Sequence, residues 1–479
     1  MDPADFRRHG HALVEWIADY LEHPDRYPVL SRVKPGDIVA ALPTAAPEDG
    51  EPFDAIMADF ERVLVPGLTH WNHPGFFAYF AITGSAPGVL AEFLSAALNQ
   101  QAMLWRTSPA ATELEAVSLG WLRQLIGLPN SFEGVIYDTA SISSMHALAA
   151  AREAAVKDVR HRGLAGRDDV PPVRVYCSEQ AHSSIDKGVI AIGLGHESLR
   201  KIPVDAEYRL RPDDLRDAIA EDRAAGMLPV AVVATVGTTS TTSIDPVPAI
   251  ADICARERLW LHVDAAYAGV AAMLPSHAHV LDGADRADSL VVNAHKWLFT
   301  PVDLSVLYCR RMDVLRAAFA LTPEYLKTAE ASQVKNLMDT GIQLGRRFRA
   351  LKLWMILRSF GARAIREHLA EHIRLAQEFA SWVDAHPDFE RLAPVPFSVV
   401  CFRWNPAART LSPAELDGAN ERLLDRVNQT GEVFLSHTRL REGIALRLAI
   451  GHLQTTERHV RGAWDLLVEH AAGLPSPTF

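Results

Sequence analysis

Asn293-Ala294-His295-Lys296-Trp297 closes the apolar run Ser289-Leu290-Val291-Val292-Asn293, which reads as a buried strand. A lysine so close to the buried end of a strand is costly. Its ammonium is strongly hydrated, and burial opposes the charge unless it is paired or neutralised. Taken alone, such a lysine reads as one that reaches solvent over a sheet edge. One route that neutralises it in place is covalent: condensation of the amine with an aldehyde.

The stretch upstream, Trp260-Leu261-His262-Val263-Asp264-Ala265-Ala266-Tyr267-Ala268-Gly269, reads as a second short strand ending in an acid. Ligands of open α/β sheets bind at the carboxyl ends of the strands. Lys296 and Asp264 are therefore the two poles that a pyridoxal phosphate (PLP) site needs. One is an amine for the aldehyde, the other a carboxylate to keep the pyridine nitrogen protonated. An aspartate there also reads as a turn or cap residue. Further stretches narrow the choice. HVDAAYAG (262–269), NAHKW (293–297), SEQAHSS (178–184), WRTSPAATELE (105–115), ATVGTTS (234–240) and LGRRFRALKLW (344–354) occur together. With them the chain resembles the PLP-dependent aromatic-L-amino-acid decarboxylases, group II decarboxylases of the aspartate aminotransferase fold type I. The resemblance runs from the N-terminal helix to about residue 470.

Composition fits a large globular protein, and the strand–helix alternation predicts an α/β fold. The 479 residues are 48% hydrophobic, with a net charge of −11. The acidic balance opposes nucleic-acid binding. No apolar run has membrane-spanning length, and the start lacks the basic-then-apolar order of a secretory signal. Cys177, Cys254, Cys309 and Cys401 are far apart and form no CxxC pair, so they read as reduced thiols in a cytoplasmic setting. His262 and Asp264, two apart on a strand, raise a metal alternative. The chain has neither HExxH nor paired Cys/His spacing, so no metal site is expected.

Asp2-Pro3 can cap a first helix, with Phe6, Leu13, Ile17 and Leu21 as its apolar stripe. Proline-punctuated chain follows, and the resemblance implies that this arm (1–85) wraps a partner subunit in a homodimer with active sites at the interface. Residues 86–361 are expected to form the large PLP-binding domain, a mostly parallel sheet flanked by helices. Residues 362–479 read as a small α+β C-terminal domain. Leu90, Phe93, Leu94, Ala97 and Leu98 share a face of a helix over 86–98. The next helix is expected to turn Leu114, Val117, Trp121, Leu122 and Leu125 inward.

The strand-to-helix turn Gly134–Ser141 offers a helix N-terminus suited to a phosphate. Taken alone it reads as an ordinary Ser/Thr cap. The resemblance assigns the phosphate to Ala140 and Ser141. Asp138 and Ile142 depart from the family pattern, and the Asp138 carboxylate is expected to point away. By the same resemblance, His182 stacks on the cofactor ring and doubles as an acid–base group. Thr239, Ala266, Asn293 and His295 line the cofactor. Trp71, Tyr79, Phe80, Met103 and Gly345 line the substrate side chain. Met103 replaces a common aromatic, and Ala81-Ile82 replaces the Pro-Thr pair of animal enzymes.

The polar stretch after Leu321 reads as a mobile loop. In the family a tyrosine at the position of Tyr325 returns a proton to the substrate carbon, whereas phenylalanine accompanies oxidative, aldehyde-forming enzymes. The expected activity is decarboxylation of tryptophan, tyrosine, DOPA or phenylalanine to the arylethylamine and CO₂. An aldehyde synthase and a catalytically silent PLP-fold binding protein are the rivals.

Overall fold

Runs of valine, isoleucine and leucine bounded by glycine, proline and acidic residues build the main sheet. The computed structural model describes residues 1–321, 334–408 and 410–474. The chain divides into two units. One comprises Met1–Ala81, Leu375–Leu392 and Val400–Phe479; the other comprises Ile82–Arg374 and Ala393–Val399.

After the two-residue strand β1 (Phe76–Phe77) come β2 (Glu133–Tyr137), β3 (Val173–Ser178), β4 (Leu199–Ile202), β5 (Leu228–Thr235), β6 (Trp260–Asp264), β7 (Ser289–Asn293) and β8 (Ser305–Cys309). In the second unit, β2 to β8 form a seven-stranded sheet in the order β2-β8-β7-β6-β5-β3-β4. The pairs from β4 through β7 are parallel, and β8 runs antiparallel to both β7 and β2. Parallel strands covered on both faces need near-continuous apolar sequence. The burial of β5, β6 and β7 throughout, save the first residue of β5, meets that need. Helix Ala140–Ala155 packs Ala147, Leu148, Ala150 and Ala151 against Val135, Val175, Val233 and Leu307 of the sheet. Its alanines allow close approach, and Leu148 alone contributes roughly 1.5–3 kcal/mol by burial.

In the first unit, Asp2 caps helix Pro3–Glu22 by accepting from the amides of Ala4 and Asp5, as its position predicts. This unit also holds a five-stranded sheet, order β1-β11-β12-β10-β9, built with β9 (Phe389–Arg391), β10 (Val399–Trp404), β11 (Phe434–Leu440) and β12 (Gly443–Ala449).

One helix departs from the face expected of it, and another leaves its apolar face open. Helix Pro109–Leu125 buries Ala111, Thr112, Glu115, Ser118, Leu119 and Leu122, while Val117 and Trp121 are exposed. The polar members of the inner face have partners there. The Glu115 carboxylate accepts from the Ile136 amide at 2.9 Å and pairs with Arg346 at 3.0 Å. Helix Ala86–Leu98 buries Gly88, Ala91 and Ser95. Its apolar side stays open in the single chain: Leu90, Phe93, Leu94 and Leu98 are each about half exposed. Gly88 is required where it stands, since a Cβ there would lie 2.3 Å from a Pro301 ring carbon.

Candidate active site

Asp264, Ala266 and Asn293 meet at the carboxyl ends of adjacent parallel strands. Asp264 pairs in register with Thr235 of β5 and Val291 of β7. The Ala266 amide donates to the Asp264 carboxylate at 3.1 Å, and the Asn293 amide donates to the Ala266 carbonyl at 3.0 Å. Lys296 follows β7 on a single helical turn, Ala294–Trp297. That turn is pinned on both sides of the lysine. The Leu304 amide donates to His295 Nδ1 at 2.8 Å. The Trp297 indole, fully buried, donates to His372 Nδ1 at 3.0 Å and stacks on Tyr267 with centroids 4.9 Å apart.

Desolvation lowers the pKa of Lys296, and the Asp264 carboxylate opposes that shift. The amine is thus nearer its nucleophilic, neutral form than an exposed lysine. Burial, then the charge of Lys296, pulls His295 down to about 4. His182, exposed at the surface of this unit, is also lowered, first by desolvation and then by Lys296, with Asp264 pulling the other way. His182, Lys296 and Asp264 therefore form one electrostatic cluster. The Ser184 amide donates to His182 Nδ1 at 3.1 Å, and the Ser184 hydroxyl lies 2.8 Å from the same atom. An amide can only donate, so the neutral ring carries its proton on Nε2.

The residues present fit PLP. Thr139 is the N-cap of helix Ala140–Ala155, yet its side chain makes no cap hydrogen bond. The first-turn amides at Ala140 and Ser141 are therefore available to a phosphate. Asp138 accepts from the Thr139 amide at 2.6 Å and from Gln343 at 3.4 Å, so its carboxylate is engaged locally. Thr235 Oγ1 and Asn293 Oδ1 are buried without a hydrogen-bond partner at the strand ends. Unsatisfied buried polar atoms are costly, and a polar ligand would relieve them. Sequence reasoning missed Thr235, whose hydroxyl is inconspicuous in a run of strand-forming residues. The Gly237–Ser243 loop closes on itself through the Thr238 hydroxyl and leaves Thr239 exposed.

The substrate-pocket candidates fall into two groups. Met103 and Gly345 are brought together: Ala102 donates to the Arg346 carbonyl at 2.9 Å, and the Arg346 amide donates to Gln101 at 2.5 Å. Met103 also packs on Leu104 and Met338. Trp71, Tyr79 and Phe80 belong to the first unit. There Trp71 stacks on Phe76 and Tyr79, and Tyr79 is 53% exposed at a φ of 52°. Ser436 and Arg447 hold that backbone, the hydroxyl accepting from the Tyr79 amide and the guanidinium donating to its carbonyl. Tyr325 lies outside the described residues. His262 has both ring nitrogens engaged, by Ser289 at 2.9 Å and Ser144 at 3.1 Å, which leaves neither for a metal. Among the described residues no group of three or more His, Cys, Asp or Glu is placed to hold a metal ion.

The pyridoxal-dependent decarboxylase conserved domain matches residues 35–405. The chain is 40% identical to phenylacetaldehyde synthase of Arabidopsis thaliana, over 99% of this chain and 97% of that protein. It is equally similar, at 40%, to tryptophan decarboxylase TDC2 of Camptotheca acuminata, over 99% and 96%. The crystal structure of Oryza sativa TDC with PLP and tryptamine superposes with a TM-score of 0.95 at 38% identity, covering 99% of each chain. A domain match over most of the chain, and relatives this close along nearly all of it, make the protein a member of the pyridoxal-dependent decarboxylase family.

Proposed function

We propose that this PLP-dependent carboxy-lyase acts on an aromatic L-amino acid, releasing CO₂ and the arylethylamine. The observation that carries the chemistry is a buried Lys296 one turn past β7, with Asp264 at the end of the adjacent strand β6 opposing the loss of its charge. Bound PLP supplies an electron sink for the bonding electrons at the substrate's α-carbon. The chain's own residues do the rest. Lys296 presents an amine whose charge burial disfavours. Asp264 would keep a proton on the pyridine nitrogen. Ala140 and Ser141 would donate amides to the phosphate, with Thr239 adding a hydroxyl. Ala266, Asn293 and His295 line the cofactor, and His182 offers a flat face and an Nε2–H. Tyr325 would return the proton to the α-carbon. By the family resemblance, Trp71, Tyr79 and Phe80 of the first unit, and Met103 and Gly345 of the second, are each candidates for contact with the substrate side chain.

The aromatic substrate class is supported by the names of the relatives, tryptophan decarboxylase and phenylacetaldehyde synthase, and by the tryptamine in the rice structure. The test is a panel of tryptophan, tyrosine, DOPA, phenylalanine and glutamate. One or more aromatic substrates should exceed glutamate by at least about a hundredfold in kcat/KM; a preference for glutamate would overturn the class.

The similarity to an aldehyde synthase supports a second reading, in which the amino acid, O₂ and water give aldehyde, CO₂, ammonia and peroxide. Tyr325 favours the amine. A homodimer with active sites at the subunit interface is part of the proposal, because Leu90, Phe93, Leu94 and Leu98 need cover. Sedimentation at the mass of one chain would contradict it. A cytoplasmic location fits four free, buried cysteines. Among the described residues no helix is long and apolar enough to cross a membrane.

A further inference from the structure

We propose that the end of the seven-stranded sheet opposite Lys296, where β5, β6 and β7 begin, carries a second binding site, for a small organic carboxylate with a flat apolar body. A cavity of about 410 Å³ opens there, lined by Val230 near the start of β5, Trp260 at the start of β6 and Asp288 just before β7. That volume falls within the roughly 300–1,000 Å³ of small-molecule sites. It is a separate place from the catalytic end: β6 runs from Trp260 at the cavity to Asp264, about 13 Å at strand rise.

Charge selects an anion. Arg258, Arg286, Arg310 and Arg311 line the cavity, against the single carboxylate of Asp288. The chain as a whole carries −11, so its average composition does not account for four guanidiniums around one cavity. Asp288 is already engaged. One oxygen accepts from the Leu261 amide at 2.9 Å, and the other lies 3.5 Å from Arg310. Arg286 pairs with Asp252 at 2.8 Å. Arg311 lies over the Trp260 ring, 5.5 Å from its centroid. Arg258 caps the end of helix Val247–Glu257 with its backbone amide, and its guanidinium makes no hydrogen bond or ion pair among the described residues. Guanidiniums bind carboxylates through paired, charge-assisted hydrogen bonds, and Arg258 and Arg311 have that capacity to spare.

The buried wall selects the body. Ala151, Val230 and Leu261 are buried and apolar, and the small Ala151 leaves room beside the exposed arginines. A bare anion would use the rim alone, whereas an arylacetate would fill both parts. An arylalkylamine cation would be repelled.

The PLP-loaded enzyme is titrated calorimetrically with phenylacetate, phenylacetamide and inorganic phosphate, alongside the double variant Arg258→Gln/Arg311→Gln. Both arginines are exposed, so folding should survive, and decarboxylase activity reports that it has. We expect phenylacetate to bind the wild type and to weaken at least about tenfold in the variant. Phosphate should bind more weakly than phenylacetate, and phenylacetamide should not bind. Unchanged phenylacetate affinity in the variant would overturn the site, as would an amide that binds as tightly as the carboxylate. Phosphate binding as tightly as phenylacetate would overturn the organic ligand.

Discussion

At Lys296 burial opposes a charge that the residue type normally carries, and the Asp264 carboxylate supports it. Removing the amine leaves the cofactor nothing to react with on the chain. Lys296→Ala should lower turnover by at least about a thousandfold, and borohydride should no longer fix PLP to the protein. A variant that still decarboxylates near the wild-type rate would sink the assignment. Tyr325→Phe should shift the product from amine toward aldehyde, read as ammonia and peroxide release; an unchanged ratio would remove Tyr325 from proton return. Lys296 and Asp264 stood out in the sequence as a lysine and an acid ending short apolar runs, whereas His182 was reached only through the family resemblance. Thr235 was not. Its significance is an unpartnered buried hydroxyl in register with Asp264, and sequence does not display partners.

Among the elements, β3, β5, β6 and β7 were legible because buried parallel strands are nearly continuous runs of apolar residues. The antiparallel direction of β8 was not, since no residue type encodes it. Helix Pro109–Leu125 shows how hydrophobicity misleads about facing. Its inner face includes Glu115 because Arg346 and the Ile136 amide await it, with the side chains of both Glu115 and Arg346 under 5% exposed. Breaking one side of such a pair strands the other charge. Glu115→Ala should cost about 3–5 kcal/mol of stability, measured as a lower denaturant midpoint, whereas a loss below about 1 kcal/mol would mean the pair is solvated like a surface ion pair. The apolar side of helix Ala86–Leu98 was legible as a stripe, but only the structure shows that this chain leaves it open.

For the whole molecule, acid sensitivity follows from buried histidines. Burial holds His146, His262 and His295 near about 4, against 6.5 for an exposed imidazole. Their folded pKa values are depressed, so between pH 7 and 5 the unfolded chain takes up protons that the folded chain refuses. Stability is therefore present above about 6.5 and is lost as pH falls. Asp245 acts the other way, since burial raises it to about 6 and the folded form gains its proton first. Three histidines outweigh one aspartate. At saturating PLP, Tm should fall by at least about 5 °C from pH 7 to 5; a flat or rising Tm would show that the imidazoles reach water. The central claim, that this family member converts an aromatic amino acid to its amine, is tested most directly by product stoichiometry. PLP-loaded protein is given its best aromatic substrate in air, and CO₂, amine, ammonia and peroxide are measured together. One amine per CO₂ is expected, with neither ammonia nor peroxide. CO₂ accompanied by equal ammonia and peroxide, with little amine, would contradict it and make the protein an aldehyde synthase.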